Sequence, residues 1–406
     1  MCYNLKRKEV IIVEVYLDNA ATTKMDDRVL EEMLPYLKDN YGNPSSAYKI
    51  GRDNKEIIEK ARKEVADMLN AKQSEIYFTS GGSEADNMAL KGIALGNADI
   101  GKHIITSEIE HPAVLDTCKE LESEGFEISY VKVDNSGIVN LEDLEKKIRK
   151  DTILISIMFA NNEIGTIEPI DEISKIAKRH NILFHADCVQ AIGNIRINVK
   201  KMGIDSLSLS AHKFNGPKGI GVLYLKDEIK FRKYLNGGHQ ERNRRAGTEN
   251  VAGIVGLARA MSIAYENMEE KNGRISNLRE YFIREIEKNI EDAKVNGNIS
   301  HRLPGIISIS FKGVEADNIL QELDKKGIYI STGSACTTGS IESSHVLKAI
   351  GLSDTMAHST IRISIGKYNN KEEIDYTVKY LAEIIHKLRS LSPLYKNTNT
   401  QTIKNV

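Results

Sequence analysis

Four predicted strands end in residues whose side chains suit a phosphorylated, charged ligand. They are Ser80-Gly81-Gly82-Ser83-Glu84 after SEIYFT, His111 after KHIITSEIE, Asp187 at the end of NILFHAD, and Lys213 after DSLSLSAH. In an open parallel α/β sheet, ligands bind beyond the carboxyl ends of the strands. We therefore expect these residues to meet at one edge of a sheet.

Each of these features also has an ordinary structural interpretation. The Gly-Gly-Ser turn is either a phosphate cradle at a helix N-terminus or a flexible N-cap. His111, held before a proline that opens a helix, either stacks on a heterocycle or caps the helix at the surface. Asp187 needs a partner because a buried, unpaired carboxylate is costly, and that partner is a cationic ring nitrogen or a structural arginine.

Lys213 is either a lysine that forms a Schiff base in a cleft or a solvated surface lysine. Lys218 lies in the glycine-rich loop FNGPKGIG that follows, and position alone does not choose between the two lysines. A phosphate cradle, a stacking ring, a carboxylate and a lysine together nevertheless describe one cofactor, pyridoxal phosphate. The carboxylate would pair with the pyridine nitrogen, and the lysine would carry the aldehyde carbon.

A fifth candidate is Cys336, which lies in STGSACTTGS without apolar periodicity on either side. A lone cysteine usually behaves as a small buried hydrophobe, but these polar, small neighbours argue against that interpretation. A free thiol has a pKa of about 8.5 and needs activation before it attacks. Cys118 and Cys188 lie in apolar helical and strand patterns and are expected to pack in the core, whereas Cys2 has no expected role.

The elements that position these residues alternate along the chain. Short runs rich in Ile, Val and Leu precede stretches of helical periodicity, as in SEIYFTS then SEADNMALKGIAL and in KHIITS then HPAVLDTCKELES. This alternation predicts an α/β fold with a mainly parallel sheet covered by helices on both faces.

A second pattern begins near residue 271, where a long charged helix is followed by the strand patterns GIISISFKG and STIRISIG. It predicts a smaller α+β domain. The expected divisions are an N-terminal segment 1–25 that packs with the small domain, a large domain 26–270, a small domain 271–390 and a polar tail 391–406.

Composition excludes several classes of protein. The 56 basic residues balance 57 acidic ones, so no basic face for nucleic acid is indicated. No apolar run of about 18 residues suggests a membrane span, and KRKEVIIVEVYLD is interrupted by Glu14 and is read as a strand rather than a signal peptide. Four scattered cysteines without metal-ligand spacing predict a reduced, cytoplasmic protein without a metal site.

Eight motifs then occur together over roughly residues 16 to 390. They are YLDNAATT, FTSGGSEADN, EHPAVLDTC, NNEIG, HADCVQAIG, SLSAHKFNGPKGIG, RRAGTEN and STGSACTTGS. Their sequences and order resemble the group I cysteine desulfurases of the NifS/IscS class, which have the pyridoxal-phosphate fold type I. The resemblance implies a homodimer with its sites near the subunit interface.

Site residues follow from that resemblance. Lys213 would form the Schiff base, Asp187 would pair with the pyridine nitrogen, His111 would stack on the ring, and Gln190 would hydrogen-bond the phenolic oxygen. The phosphate would be bound by Gly82, Ser83, Ser210, His212 and, from the second subunit, Thr248. Asn162 and Arg362 would bind the substrate carboxylate, and Asn162 would also contact the cofactor. Ser83 replaces a threonine of many relatives, and about ten extra residues at the N-terminus have no assigned role.

The resemblance also gives Cys336 a function. It would remove the sulfur of L-cysteine as a persulfide and leave alanine, with Lys213 moving the Cα proton and His111 a candidate for activating the thiol. The persulfide would pass to an iron–sulfur scaffold or another sulfur-acceptor protein, and the sequence does not identify which.

The sequence leaves three rival functions. The first is another fold-type I enzyme, such as a selenocysteine lyase or a small-molecule aminotransferase. An aminotransferase would not need Cys336, whereas selenocysteine and cysteine differ too little in size for the sequence to separate them, so activity on selenocysteine is expected as a side reaction. A nucleotide-binding protein is suggested by GNADIGKH at 96–103, but His103 stands where that motif needs Ser or Thr, and a helix precedes it instead of a strand. A silent scaffold is disfavoured by the presence of both Lys213 and Cys336.

Overall fold

The computed structural model describes residues 14–332 and 343–392 together with Tyr395. Its strands are β1 (Val15–Tyr16), β2 (Ile76–Thr79), β3 (His103–Ser107), β4 (Glu127–Val131), β5 (Thr152–Ser156), β6 (Leu183–Asp187), β7 (Ser206–Ser210), β8 (Gly221–Leu225), β9 (Ala293–Asn296), β10 (Ile306–Phe311), β11 (Ile328–Tyr329), β12 (Ser331–Thr332) and β13 (Thr360–Ser364).

The α-helices alternate with these strands in the first half of the chain and dominate much of the second. They are α1 (Asp27–Lys38), α2 (Lys49–Leu69), α3 (Gly82–Gly96), α4 (Pro112–Ser123), α5 (Leu141–Lys147), α6 (Ile170–Arg179), α7 (Val199–Met202), α8 (Val251–Glu266), α9 (Met268–Asn289), α10 (Ala316–Asp324), α11 (His345–Ala349), α12 (Asp354–His358) and α13 (Lys371–Leu391). Short 3-10 turns span Gln73–Glu75, Ala211–Lys213 and Glu241–Asn243.

The large sheet has seven strands in the order β2-β8-β7-β6-β5-β3-β4. Strands β4, β3, β5, β6 and β7 run parallel, whereas β8 is antiparallel to both β7 and β2. This arrangement confirms the predicted mainly parallel sheet. Its carboxyl ends carry the candidate residues, as expected for an open α/β sheet.

Both faces of this sheet are buried. On β5, Ile155 packs in one apolar cluster with α1, α2, α6 and α8, and its neighbour Leu154 packs in another with α3 and α4. Successive strand residues point to opposite faces, so a strand between two helical layers must be apolar throughout. That requirement explains the unbroken Ile and Leu runs.

Two helix starts at the carboxyl edge have clear local causes. His111 caps α4, where its Nδ1 accepts a hydrogen bond of 3.1 Å from the Ala113 amide, and Pro112 occupies the first helical position. Helix α3 begins at Gly82, directly after the last residues of β2. Both helices therefore begin close to the carboxyl ends of the strands that precede them.

A second, antiparallel sheet has the order β12-β13-β10-β9 and packs with α9, α10 and α13. The N-terminal strand joins this part of the molecule, because Val15 and Tyr16 pair with Ile328 and Tyr329. Val15 and Leu17 lie in the same apolar cluster as β10 and β13. The division near residue 270 remains a prediction, supported by the break between α8 and α9 at Asn267.

Several predicted features have definite outcomes. Cys118 and Cys188 are buried core residues, as predicted. His103 is the first residue of β3, and its ring bonds Thr152 and Ser129 over 2.7 and 2.9 Å. GNADIGKH therefore joins the last residue of α3 to the first residue of β3, whereas a nucleotide loop must join a strand to a helix. Cys336, most of the N-terminal extension and most of the predicted polar tail lie outside the described residues.

Candidate functional site

Asp187 ends β6 with its carboxylate buried beneath the carboxyl edge of the sheet. Its Oδ1 accepts a hydrogen bond of 2.8 Å from the Val189 amide. Burial raises the pKa of Asp187, while the Val189 amide and the charge of Lys213 act in the opposite direction. A carboxylate held in this way is stabilised further by a cation that reaches it from the site.

Lys213 lies in the 3-10 turn after β7, half-buried, and donates hydrogen bonds to the carbonyls of Ala20 and Ala21 over 2.6 and 2.9 Å. Gln190 donates to the same Ala20 carbonyl over 2.9 Å. The segment DNAA after β1 therefore brings the lysine and the glutamine together. The alternative Lys218 is exposed in the loop, whereas Lys213 is half-buried against this segment.

The turn before α3 forms a narrow cradle. A Cβ placed on Gly82 would lie 2.6 Å from Cγ2 of Val189 and 3.5 Å from Cβ of Ser210. At Gly81, a Cβ would lie 3.8 Å from the Ser210 hydroxyl. Glycine at position 82 thus lets the start of α3 pack closely on Val189 and the buried Ser210, and the N-terminus of a helix is a setting suited to a phosphate group.

His111 precedes α4 and His345 opens α11, and both residues are half-buried. Burial lowers the pKa of His111 to about 4, with smaller effects from the charges of Lys213 and His345. Because Nδ1 of His111 accepts from Ala113, the neutral ring carries its proton on Nε2 and acts there as a donor. Nε2 of His345 donates a hydrogen bond of 2.9 Å to the Glu110 carbonyl, because a carbonyl oxygen can only accept.

Arg362 on β13 brings the second sheet into the site. Its guanidinium donates to Asp18 Oδ1 over 2.9 Å and to the Asn162 carbonyl over 3.2 Å, and the residue is only 4% exposed. Its Nε has no hydrogen-bond partner among the described residues. Arg362 and Asn162, predicted as a pair, are thus in contact, and a buried donor remains available for a carboxylate ligand.

Sequence reasoning missed several residues of this neighbourhood. Asp18 orients Arg362, and Glu163 accepts a hydrogen bond of 2.5 Å from Ser344 at the N-cap of α11. Burial raises the pKa of Glu163 to about 7. The motifs YLDNAATT and NNEIG contain Asp18 and Glu163, but nothing in a single sequence assigns their partners.

Three other predicted phosphate ligands are less buried than Ser210, which is 2% exposed. His212 is half-buried, with Nδ1 at 3.2 Å from the Thr22 hydroxyl, and burial lowers its pKa to about 4, followed by the charges of Lys213 and Lys218. Ser83, in contrast, is exposed on the first turn of α3. Thr248 is also exposed, in the loop before α8.

A cavity of about 540 Å³ borders the site between the two sheets. Lys213 and Gln190 line it on one side, with Lys271 and Gly366 on the other. Asp187, His111 and Arg362 do not line it. The cavity is therefore a space behind the lysine, distinct from the face on which the candidate ligand groups converge.

The residues present fit a flat, phosphorylated heterocycle. A buried carboxylate can pair with a ring cation, a neutral imidazole can stack, the Gly82 cradle suits a phosphate, and a lysine lies between them. No cluster of three or more His, Cys, Asp or Glu side chains suited to a metal ion occurs in 14–332 or 343–392. Within the same ranges, no helix is long and apolar enough to cross a membrane.

Comparison with known proteins gives one consistent family. The family model described as aminotransferase class-V matches residues 15–377. The protein named Cysteine desulfurase IscS from Dictyoglomus turgidum is 53% identical over 380 residues, which cover 94% of this chain and 96% of that protein.

Solved structures agree in fold. A structure titled NifS-like protein superposes with a TM-score of 0.87 and 43% identity, over 92% of this chain and 100% of the other. A structure titled SspA in complex with cysteine has a TM-score of 0.78 and 38% identity, over 88% of this chain and 100% of the other.

Proposed function

This chain belongs to the aminotransferase class-V family as a cysteine desulfurase of the NifS/IscS type, and on that basis we propose which of its residues remove sulfur from L-cysteine. Enzymes of this family use pyridoxal phosphate. The observation that carries the proposal is the convergence of Asp187, Lys213 and the Gly82 cradle at one edge of the sheet.

We propose that pyridoxal phosphate binds to the residues at this edge of the sheet. Asp187 would accept the pyridine N–H, His111 would lie on the ring face, Gln190 would contact the phenolic oxygen, and Lys213 would bind the aldehyde carbon. The phosphate would be bound by Gly82, Ser83, Ser210 and His212. Once bound, pyridoxal phosphate supplies an electron sink that makes the Cα proton of cysteine acidic and lets its sulfur leave.

Lys213 has a defined place in this reaction. Its Nζ lies at the Ala20 and Ala21 carbonyls, which hold the amine in one orientation before it bonds the cofactor. Released from the cofactor by the substrate amine, the same nitrogen would accept the Cα proton and later return a proton to the product.

Substrate orientation is assigned to Arg362 and Asn162. Asp18 holds the guanidinium from behind, so the Nε donor of Arg362 and the side chain of Asn162 would bind the cysteine carboxylate. The SspA structure named above contains cysteine, and we propose L-cysteine as the substrate here. Selenocysteine is expected to react as well, because it differs little in size.

Cys336 is proposed as the nucleophile that takes the sulfur. Its thiolate would attack the sulfur of bound cysteine, so that the new S–S bond forms as the C–S bond breaks. The electrons of the broken bond remain with the carbon fragment, which becomes alanine after protonation, and a persulfide remains on Cys336. The Nε2–H of neutral His111 can donate a hydrogen bond in this site, but its Nδ1 already accepts from the Ala113 amide, so this ring is not assigned the proton of the thiol.

The persulfide is proposed to pass to a sulfur-acceptor protein such as an iron–sulfur scaffold. A homodimer also belongs to the proposal, because Thr248 is exposed in one chain and is available to the site of a second. A cytoplasmic location is proposed from cysteines that lack disulfide spacing.

The test is the reaction itself with the purified protein. The protein should show the visible absorbance of bound pyridoxal phosphate and should release alanine from L-cysteine in the presence of a thiol reductant. A protein that binds the cofactor but transfers the amino group to a keto acid, without releasing alanine and sulfide, would instead support the aminotransferase alternative.

A further inference from the structure

A buried polar row crosses the large sheet directly behind Asp187. Ser156 on β5 and Ser208 on β7 flank His185 on β6, with their hydroxyls at 2.9 Å from Nδ1 and 3.0 Å from Nε2 of the histidine. All three residues are fully buried. His185 precedes Asp187 by two positions and therefore points to the same face of the sheet.

Asp86 projects from α3 onto this row. It is 1% exposed, and its Oδ1 lies 3.7 Å from Nε2 of His185. That oxygen has no hydrogen-bond partner among the described residues. The Ser208 hydroxyl also acts on the Asp86 carboxyl, where it opposes the rise of the Asp86 pKa, and this links the row to the helix.

Two arrangements of protons are possible between Asp86 and His185. In an ion pair, both residues are charged; in the alternative, both are neutral. A charge-assisted N–H···O bond is about 2.7–2.9 Å long, so 3.7 Å is too long for one. Both ring nitrogens of His185 already have hydroxyl partners, and burial lowers its pKa to about 3. The geometry therefore favours the neutral pair.

We propose that Asp86 is a positioning residue for Asp187, the proposed partner of the cofactor ring. Asp86 carries a proton, so the two buried carboxyl groups of Asp86 and Asp187 together hold one negative charge, and that charge lies on Asp187. The inference rests on the proposed role of Asp187 toward the cofactor and names a residue that does not touch the cofactor. If Asp86 were ionised, a second negative charge would be buried near that of Asp187, and the Oδ1 of Asp86 has no hydrogen-bond donor among the described residues. Burying a charge in this way is costly.

The titratable groups around Asp86 and Asp187 favour a single negative charge on these two carboxyl groups. The titratable groups that face Asp86 and Asp187 are His185, Glu110, Cys188 and Lys213. Burial raises the pKa of Glu110 to about 8 and also raises the pKa of the Cys188 thiol, so both are neutral at neutral pH. Burial followed by repulsion from Asp187 raises the pKa of Asp86 itself. Asp187, which faces Lys213 and the expected ring cation, is the member of the pair with stabilising partners.

The consequence for the reaction concerns the electron sink. A ring nitrogen stays protonated when one ionised carboxylate faces it, and a proton that moved from Asp86 to Asp187 would remove that charge. Because α3 carries both Asp86 and the Gly82 cradle, the same helix that binds the phosphate also fixes the proton behind the ring. Helix α3 would thus position both the turn that binds the phosphate and the residue that keeps the ring nitrogen protonated.

The first test measures the proton directly. Infrared difference spectra of the holoenzyme at neutral pH, wild type minus Asp86→Asn, should show the carbonyl band of a protonated carboxyl group that only the wild type has. In the wild type, removal of the cofactor should shift this band, because the charge state next to Asp86 changes. Absence of a protonated-carboxyl difference would overturn the proposal and support the Asp86–His185 ion pair.

Glu168→Gln is the matched control. Glu168 is buried, accepts from the Val139 amide over 2.8 Å, and has a pKa raised by burial, but Asp187 is not among the groups that affect it. Its protonated-carboxyl band should likewise disappear in the variant, yet should not shift when the cofactor is removed from the wild type. A purely structural buried acid would behave like Glu168.

The second test measures cofactor release from the holoenzyme. Asp86→Asn keeps a hydrogen-bonding oxygen and removes no charge under the proposal, so the release rate should stay within about threefold of wild type. Release faster by about tenfold or more would mean that a charge on Asp86 had been lost, which contradicts the proposal. If Asp86→Asn does not fold, Ser208→Ala provides the test. This variant should shift the infrared carbonyl band of Asp86, and an unchanged carboxyl region of the spectrum would contradict the proposal. A wild type without pyridoxal absorbance would instead refute the proposed function.

Discussion

Lys213 and Gln190 donate hydrogen bonds to the same acceptor, the carbonyl oxygen of Ala20, over 2.6 and 2.9 Å. This carbonyl belongs to the segment that follows β1, whereas the two donors follow β7 and β6. The N-terminal strand pairs with β11 beside the small sheet, so one short segment links both parts of the molecule to the lysine. The orientation of Lys213 therefore depends on how these parts pack.

Replacement of Lys213 tests its assignment against that of Lys218. Lys213→Ala should lose at least about a thousandfold in alanine formation, because the residue that moves the Cα proton is gone. Borohydride reduction followed by mass mapping should no longer attach the cofactor to the chain. The exposed neighbour supplies the control: Lys218→Ala should retain both properties, and loss of labelling in this variant alone would reassign the lysine.

Arg362 is predicted to act on substrate affinity. Arg362→Lys cannot reproduce the contacts with Asp18 and Asn162 while donating through Nε, so kcat/KM for L-cysteine should fall by about tenfold to a hundredfold, mainly through KM. Arg389→Lys is the matched control, since Arg389 is also buried but bonds backbone carbonyls after α9 and β10. It should lower the melting temperature and leave KM unchanged. An unchanged KM in Arg362→Lys would remove Arg362 from the substrate site.

Glu110 should make the stability of the folded protein depend on pH. Burial raises its pKa in the folded protein to about 8, above an unfolded value of about 4.3. The folded state thus binds this proton more tightly, and the resulting stability is present below the unfolded pKa and is lost as the pH rises to about 8. The glutamine of Glu110→Gln does not titrate, so this variant lacks the loss of stability that the wild type shows as the pH rises. The melting temperature of the variant minus that of wild type should therefore increase by more than about 3 °C between pH values of about 4.3 and about 8.

The buried histidines do not obscure this comparison. The pKa values of His111 and His212 are lowered to about 4, so they destabilise the fold as the pH falls below about 6.5, equally in both proteins. Glu142→Gln, at an exposed site on α5, should give no pH-dependent difference. A constant melting difference for Glu110→Gln would show that Glu110 is not protonated in the folded state.

Much of this architecture was predictable because the relevant forces act locally. Apolar runs of strand length, Pro112 at a helix start and glycines before α3 have the same meaning in any fold, and they placed Asp187, Lys213 and Gly82 at the carboxyl edge. The Arg362–Asp18 contact joins residues 344 positions apart, and Ser344 meets Glu163 across 181 positions. No local pattern encodes such contacts.

Asp86 illustrates the remaining limit. It occupies a helix position where an acid usually faces solvent, and only the packing of α3 on β7 reveals that it is buried. Ser83, three positions earlier, was predicted as a phosphate ligand and is exposed in the single chain. The face on which a polar helix residue lies depends on tertiary packing, which the periodicity of a short helix start does not determine.

Thr248 tests the proposed dimer through complementation. Thr248→Asp should weaken cofactor binding, because a carboxylate would repel the phosphate of the neighbouring site. Mixed with Lys213→Ala after subunit exchange, it should restore about a quarter of wild-type activity, since half of the dimers are mixed and each has one intact site. Recovery is the result expected if Thr248 serves the second subunit. No recovery, with mixed dimers demonstrated by tagging, would place Thr248 in its own chain's site or outside any site.

The central claim is that Cys336 receives the sulfur, and the most direct measurement is alanine release from L-cysteine by wild type and by Cys336→Ala. The control is Cys118→Ala, because the Cys118 thiol is buried in α4 and burial raises its pKa to about 12. We predict that wild type and Cys118→Ala release alanine and carry a persulfide, whereas Cys336→Ala keeps its cofactor absorbance and does neither. Equal alanine release by Cys336→Ala would contradict the account.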